Sequence, residues 1–247
     1  MQILGITSGK TFVGKTNFVL NFAVAMSIKK KKVLIVDGSL NQSNIAQLLG
    51  IYPQYTLINY IDKEILVDKL LTTAPCGLKY LSAYSGDIMV TQNTKKYQET
   101  LVSIYMDMRK DFDYIIIDAG VGINDTTLGY LNTADRIVIV TTPESSSITD
   151  AYAMIKILYF RSKTQSLSIL INMVQSKEEA VSIYNKINLI VQHFLNKSVG
   201  NFGFIFTDNH VKEAVLSQTP FVEKEPNCTA SLNINNILDE FIEEAKV

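Results

Sequence analysis

Short apolar runs bounded by turn residues recur along the chain: QILGIT (2–7), KVLIVD (32–37), LKYLSA (78–83), DYIIID (113–118), RIVIVT (136–141), LSILIN (167–172) and VGNFGFI (199–205). Runs this short, rich in Ile, Val and Leu and nearly continuous in hydrophobicity, suit strands covered on both sides. Between most of them lie segments long enough for a helix, with apolar residues at helical spacing such as Phe18, Phe22, Ala25 and Met26. Strands alternating with helices imply parallel pairing through right-handed crossovers. The expected class is therefore α/β, a predominantly parallel open sheet with helices on both faces. No repeat, linker-like tract or low-complexity segment interrupts the pattern, so one domain is expected over residues 1–247. It ends in an amphipathic helix over 231–246, with Ile234, Ile237, Leu238, Phe241, Ile242 and Ala245 on one stripe and Asp239, Glu240, Glu243 and Glu244 opposite.

Composition narrows the function classes. The chain is 47% hydrophobic and 19% charged, within the globular range. Twenty-three basic and 24 acidic residues leave a net charge of −1, which argues against a protein that coats DNA or anionic lipid. The run Lys29–Lys32 precedes a strand, where a helix ends and cations complement its dipole. Cys76 and Cys228 form no CxxC, which argues against a disulfide framework and a thiolate zinc site, and fits a reducing, cytoplasmic setting. His193 and His210 have no partner at a ligand spacing and read as ordinary histidines. The amino terminus has no signal-peptide pattern, and no stretch approaches the ~20 apolar residues of a membrane span.

The strongest chemical signal follows the first strand. Gly9-Lys10-Thr11-Phe12-Val13-Gly14-Lys15-Thr16 is a complete GxxxxGK[ST] placed before a helical segment. In such a loop, backbone N–H groups converge on phosphate oxygens and the following helix adds its positive end. Gly14 permits close approach, Lys15 reaches the β/γ-phosphates, and the Thr16 hydroxyl ligates Mg²⁺. Two apolar strands end in aspartate. Asp118 in YIIIDAG is the candidate for holding the metal, directly or through water, and Asp37 in VLIVD supports the same site from a neighbouring strand. Lys10, Lys15, Asp37 and Asp118 are the catalytic candidates, and Thr16, Asp37 and Asp118 the metal candidates.

With a second lysine early in the loop, SGKTFVGKT resembles the deviant Walker-A ATPases of the MinD/ParA group. Downstream, DYIIIDAGVGI (113–123), ADRIVIVTTPESSSITDAYAMIK (134–156) and DNHVKEAVLSQTPFVEKEPN (208–227) are similar to the flagellar-number regulators of the FlhG branch. The resemblance spans nearly the whole chain. It implies a P-loop NTPase fold and an ATP/ADP- and Mg²⁺-binding protein that dimerises around two nucleotides, with Lys10 reaching the partner's phosphates. It also implies that Asn172 contacts adenine and that the turn of Phe206, Thr207 and Asp208 completes the base pocket. Further implications are control of flagellar number and placement, and work with an FlhF-type GTPase and basal-body components.

Several positions depart from that pattern. Thr11 and Phe12 stand where glycines are usual, so in the family conformation Phe12 must point away from the phosphates, toward the dimer seam. Ser39 stands where a second acidic residue helps to position the attacking water. A hydroxyl orients water but does not take its proton, and losing such a group costs on the order of 10²–10⁴ in rate. Asn41 and Asn44 are nearby amides, which are not bases either. The terminal helix is acidic where membrane-targeting relatives are basic, so it is expected to pack on the protein's own body, with peripheral membrane attachment unsupported. With residue 1 opening the first strand, the amino-terminal extension that acts on FlhF is expected to be missing, through truncation or loss.

Three functions stay open on the sequence: a nucleotide-gated flagellar regulator with weak or impaired hydrolysis, a fully active ATPase switch, and a P-loop scaffold without turnover. A DNA-partitioning ParA is disfavoured by the balanced charge, and an iron–sulfur ATPase by the lack of paired cysteines after Asp118.

Overall fold

A computed structural model describes residues 1–39, 44–82, 94–162 and 166–244. Asn41, Ala83 and Ala245 lie outside them. The strands are β1 (Gln2–Ser8), β2 (Val33–Asp37), β3 (Thr72–Thr73), β4 (Lys79–Ser82), β5 (Tyr114–Val121), β6 (Arg136–Thr141), β7 (Leu167–Val174) and β8 (Gly200–Phe206). They form one sheet in the order β3-β4-β2-β5-β1-β6-β7-β8. Every pairing is parallel except the two-residue β3 against β4. Each run expected to be a strand is one, and the fold is the expected α/β class.

The helices are α1 (Lys15–Ile28), α2 (Asn44–Leu49), α3 (Leu57–Ile61), α4 (Thr94–Asp107), α5 (Asp125–Leu131), α6 (Ser145–Arg161), α7 (Lys177–Leu195), α8 (Asn209–Leu216), α9 (Phe221–Lys224) and α10 (Thr229–Glu244). Successive side chains of a strand point to opposite faces, and the two halves of the core follow that alternation. Leu4, Ile35, Ile116, Val138 and Leu170 pack into one layer with Phe18, Phe22, Phe221 and Phe241. Ile3, Leu34, Ile115, Ile137 and Ile169 pack into the other with Leu101, Leu131, Met154 and Ile187. Both faces of the central strands are therefore dry, which explains why their sequences show no polar alternate.

Helix α1 is almost wholly buried, including Asn21. The Asn21 amide is satisfied at both ends: Nδ2 donates to the Asn17 carbonyl at 2.8 Å, and Oδ1 accepts from the Val222 N–H at 3.2 Å. Helix α10 lies against α1 and β8 through Phe241, whose ring is 5.8 Å from Phe22 and 5.9 Å from Phe202. Its acidic side meets cations of the same chain, Asp239 pairing with Lys29 and Glu244 with Arg136. Among the described residues, no helix is long and apolar enough to cross a membrane.

The register decides where chemistry can occur. Ile6 of β1 is level with Asp118 of β5, and Asp118 is level with Asp37 of β2. The loop after β1 thus emerges beside two aspartates at the carboxyl edge of the sheet.

Candidate functional site

The phosphate loop joins Ser8, the last residue of β1, to Lys15, the first of α1. Two glycines are needed for shape. Gly14 has φ 81° and ψ 13°, a left-handed conformation, and a Cβ there would sit 2.2 Å from Asn172 Nδ2. A Cβ on Gly9 would sit 2.5 Å from the Asp150 carbonyl of α6. The loop is pinned from beneath by Val13, which is buried and whose carbonyl accepts from Asn172 Nδ2 at 2.9 Å. Helix α1 starts with no side-chain cap and no acidic residue in its first turn. That leaves a positive helix end directed at the loop, the electrostatic condition for an anion.

Lys15, Thr16 and Asp118 meet beneath the loop. The Lys15 ammonium pairs with Asp118 Oδ1, and the Thr16 hydroxyl donates to Asp118 Oδ2 at 2.7 Å. Burial pushes the Lys15 ammonium down to about 8, with the Asp37 charge opposing. Asp37 is fully buried and accepts from the Ser39 N–H at 3.0 Å and the Tyr80 hydroxyl at 3.1 Å. Burial holds its carboxyl above the usual carboxylate range, while these hydrogen bonds and Lys15 pull it back. A hydroxyl and two carboxylates form an all-oxygen donor set, which suits a hard cation such as Mg²⁺. Thr16 and Asp118, already in contact, are the residues that would hold it, with Asp37 behind them.

Lys10 and Phe12 occupy the rim. The Lys10 ammonium pairs with Glu144 and donates to Ser146 Oγ at 2.8 Å, at the start of α6. Phe12 adopts φ 61° and is 97% exposed, with Thr11 exposed beside it. The loop therefore keeps a left-handed step at Phe12 and turns the ring away from the phosphate cradle into solvent. A cleft of about 710 Å³ opens over the loop and is walled by Ser39, Asn44, Leu48, Val215, Leu216 and Gln218, among others.

On the side expected to take the base, Asn172 and the Phe206–Asp208 turn stand at the ends of neighbouring strands, Val174 being level with Phe206. The amide of Asn172 faces the loop, and its Oδ1 accepts from the Met173 N–H at 3.0 Å. The Thr207 hydroxyl accepts from Gln175 Nε2 at 3.2 Å. The Phe206 ring packs on Phe204 at 5.2 Å. The Asp208 carboxylate is committed elsewhere, capping α8 through the His210 N–H at 3.0 Å and accepting from the Ala230 N–H at 3.1 Å. Tyr80, Glu144, Val215 and Leu216 were not legible as site residues, because each reaches the site only through tertiary packing.

The family model described as ParA, NUBPL iron-transfer P-loop NTPase, matches residues 1–242. The chain belongs to the ParA/MinD family of P-loop NTPases. This ParA-family chain is 30% identical over 232 residues to the antiactivator FleN of Pseudomonas aeruginosa, covering 94% of this chain and 83% of that protein. It is 29% identical over 243 residues to the flagellum site-determining protein YlxH of Helicobacter pylori, covering 96% and 80%. Among solved structures, the MinD cell division protein of Aquifex aeolicus superposes with a TM-score of 0.78 at 22% identity, over 98% of this chain and 97% of that one. MinD of Pyrococcus horikoshii, solved with Mg-ADP, superposes with a TM-score of 0.77 at 20% identity, over 99% and 97%. These two likenesses speak for the fold.

Proposed function

We propose that the chain is an ATP-binding, nucleotide-dependent dimerising regulator of flagellar number or placement, with weak hydrolysis. The observation that carries nucleotide binding is the convergence of Lys15, Thr16 and Asp118 under a loop whose helix end carries no acidic residue. The similarity to FleN and YlxH over most of the chain supports the flagellar role.

In this scheme the N–H groups of residues 9–16 and the end of α1 bind the phosphates. Lys15 leaves Asp118 for the β/γ-phosphates, and Thr16 and Asp118 would hold a Mg²⁺ ion that would supply neutralisation of phosphate charge. Lys10 leaves Glu144 for the partner's phosphates as two chains meet across the face carrying Phe12. Asn172 and the Phe206–Asp208 turn border the base. Weak hydrolysis follows from Ser39, which lacks a carboxylate to take a proton from water. A second scheme, active turnover, draws on Asp37, a carboxylate next to Asp118 in the sheet. FlhF-type GTPases and basal-body components are the proposed partners, and the cytoplasm, with access to the inner membrane face, the proposed location.

Light scattering on a sizing column tests the switch: the wild-type chain doubles in mass with Mg²⁺ and a non-hydrolysable ATP analogue, and Lys15→Ala does not. Flagella counted by electron microscopy in a deletion strain test the role. Altered counts restored by the wild-type gene but not by Lys15→Ala are expected, and unchanged counts contradict the flagellar assignment.

A further inference from the structure

Away from the phosphate loop, the fold gathers three residues of unlike chemistry. Asp208 ends the β8–α8 turn, His210 lies in the first turn of α8, and Cys228 stands just before α10. Histidine Nδ1 is 2.7 Å from Asp208 Oδ1. The Cys228 thiol lies 3.2 Å from Ser231 Oγ. One donor atom from each of the three lies within 4.8 Å of the others. Spacing in the sequence gave His210 no ligand partner; the packing of α10 against β8 supplies the thiol, and the turn supplies the carboxylate.

We propose that Asp208, His210 and Cys228 form a binding site for a thiophilic divalent cation of the zinc class, separate from the Lys15, Thr16 and Asp118 cluster under the phosphate loop. The donor set is one oxygen, one nitrogen and one sulfur. A sulfur donor disfavours Mg²⁺ and Ca²⁺, which take oxygen ligands, and favours Zn²⁺, which takes all three. The imidazole already meets the carboxylate and the thiol lies within 4.8 Å of both donor atoms, so a cation replaces the thiol proton and draws the imidazole nitrogen onto itself. Three protein ligands leave a fourth position, and the His210 side chain is 49% exposed, which opens that position to water or to a partner's side chain.

Charge balance supports this chemistry. Asp208 Oδ1 caps α8 and Oδ2 accepts from the first turn of α10, so two positive helix ends point at the site. A bare dication there would be repelled. With carboxylate and thiolate both ionised, the loaded site is neutral, and the helix ends meet no net positive charge. Burial opposes ionisation of Asp208, but the N–H groups of Ala230 and His210 outweigh it and hold the carboxyl at about 2, ready to bind at neutral pH. A bound cation would fasten the Phe206–Asp208 turn to the start of α10, two segments otherwise joined here by hydrogen bonds.

Cobalt(II) is the probe, added to the metal-stripped full chain in excess Mg²⁺ so that the oxygen-rich phosphate site is already occupied. One equivalent is expected to produce a thiolate-to-cobalt charge-transfer band, which Zn²⁺ abolishes by displacement. The band should vanish in Cys228→Ser and persist in Cys76→Ser. In His210→Ala, an exposed change that leaves the core intact, Co²⁺ affinity should fall by at least about tenfold. Zn²⁺ should also raise the melting temperature of the wild type but not of His210→Ala. Absence of the band, its persistence in Cys228→Ser, its loss in Cys76→Ser, or unchanged affinity in His210→Ala would each overturn the proposal and leave a hydrogen-bonded helix cap.

Discussion

Asp37 and Asp118 are register partners at the carboxyl ends of neighbouring strands, yet the fold gives them opposite surroundings. Asp118 accepts from a lysine and a threonine of the phosphate loop. Asp37 accepts from a tyrosine and a backbone amide and has no cation in contact among the described hydrogen bonds. One carboxylate is paired directly with a lysine, while the other is fully buried and offset by hydrogen bonds and the nearby Lys15 charge.

The buried charge makes a prediction about stability and pH. Asp37 binds its proton more tightly folded than unfolded, because burial raises its carboxyl from 3.8. The folded state therefore holds more protons between 3.8 and the raised value, and this group's contribution to stability falls as pH rises through that window. Thermal melts of the nucleotide-free chain across pH should show that loss, and Asp37→Asn should remove it. At neutral pH the variant should melt about 2–4 °C higher, the shift that about 1 kcal/mol produces at this size. An Asp37→Asn variant that melts lower would refute the strained-carboxylate account.

Phe12 tests the cost of the rim. A left-handed phenylalanine costs roughly 1–2 kcal/mol, and its 97% exposed ring gains nothing from packing in the lone chain. Glycine removes the strain but adds about 0.5–1 kcal/mol of backbone entropy. Phe12→Gly should thus melt no lower than wild type, whereas Phe22→Ala, in the core, should lose about 3–5 kcal/mol. Denaturant titration of both variants decides it.

The proposed function makes Ser39 the limit on turnover. Ser39→Asp places a carboxylate where the hydroxyl now lines the cleft. Steady-state phosphate release should rise by about 10² or more. An unchanged rate would contradict the role proposed for Ser39.

The terminal helix is held by its apolar face. Phe241→Ala should cost about 3–5 kcal/mol. Asp239→Asn, breaking a solvent-exposed pair with Lys29, should cost under about 1 kcal/mol. Equal losses in urea titrations would reverse the assignment of what docks α10.

Strands were legible because a doubly covered parallel sheet writes itself as continuous apolar runs. β3 was not, since two residues paired at an edge leave no periodicity to detect. The loop and its aspartates were legible because each follows its strand directly in sequence. Tyr80, which holds Asp37, lies on β4 and meets it only through strand pairing. Glu144, which holds Lys10, is distant in sequence and meets it only because β6 lies beside β1. The closeness of His210 to Cys228 was not legible for the same reason: the thiol arrives through the packing of α10, and no local spacing encodes that.

The most direct test is calorimetric titration of ATP and a non-hydrolysable analogue, with Mg²⁺, into wild type and Lys15→Ala. The account predicts saturable binding by wild type and loss of binding in Lys15→Ala. Absence of binding by wild type, or equal binding by both, would contradict it and leave the phosphate loop a retained piece of architecture.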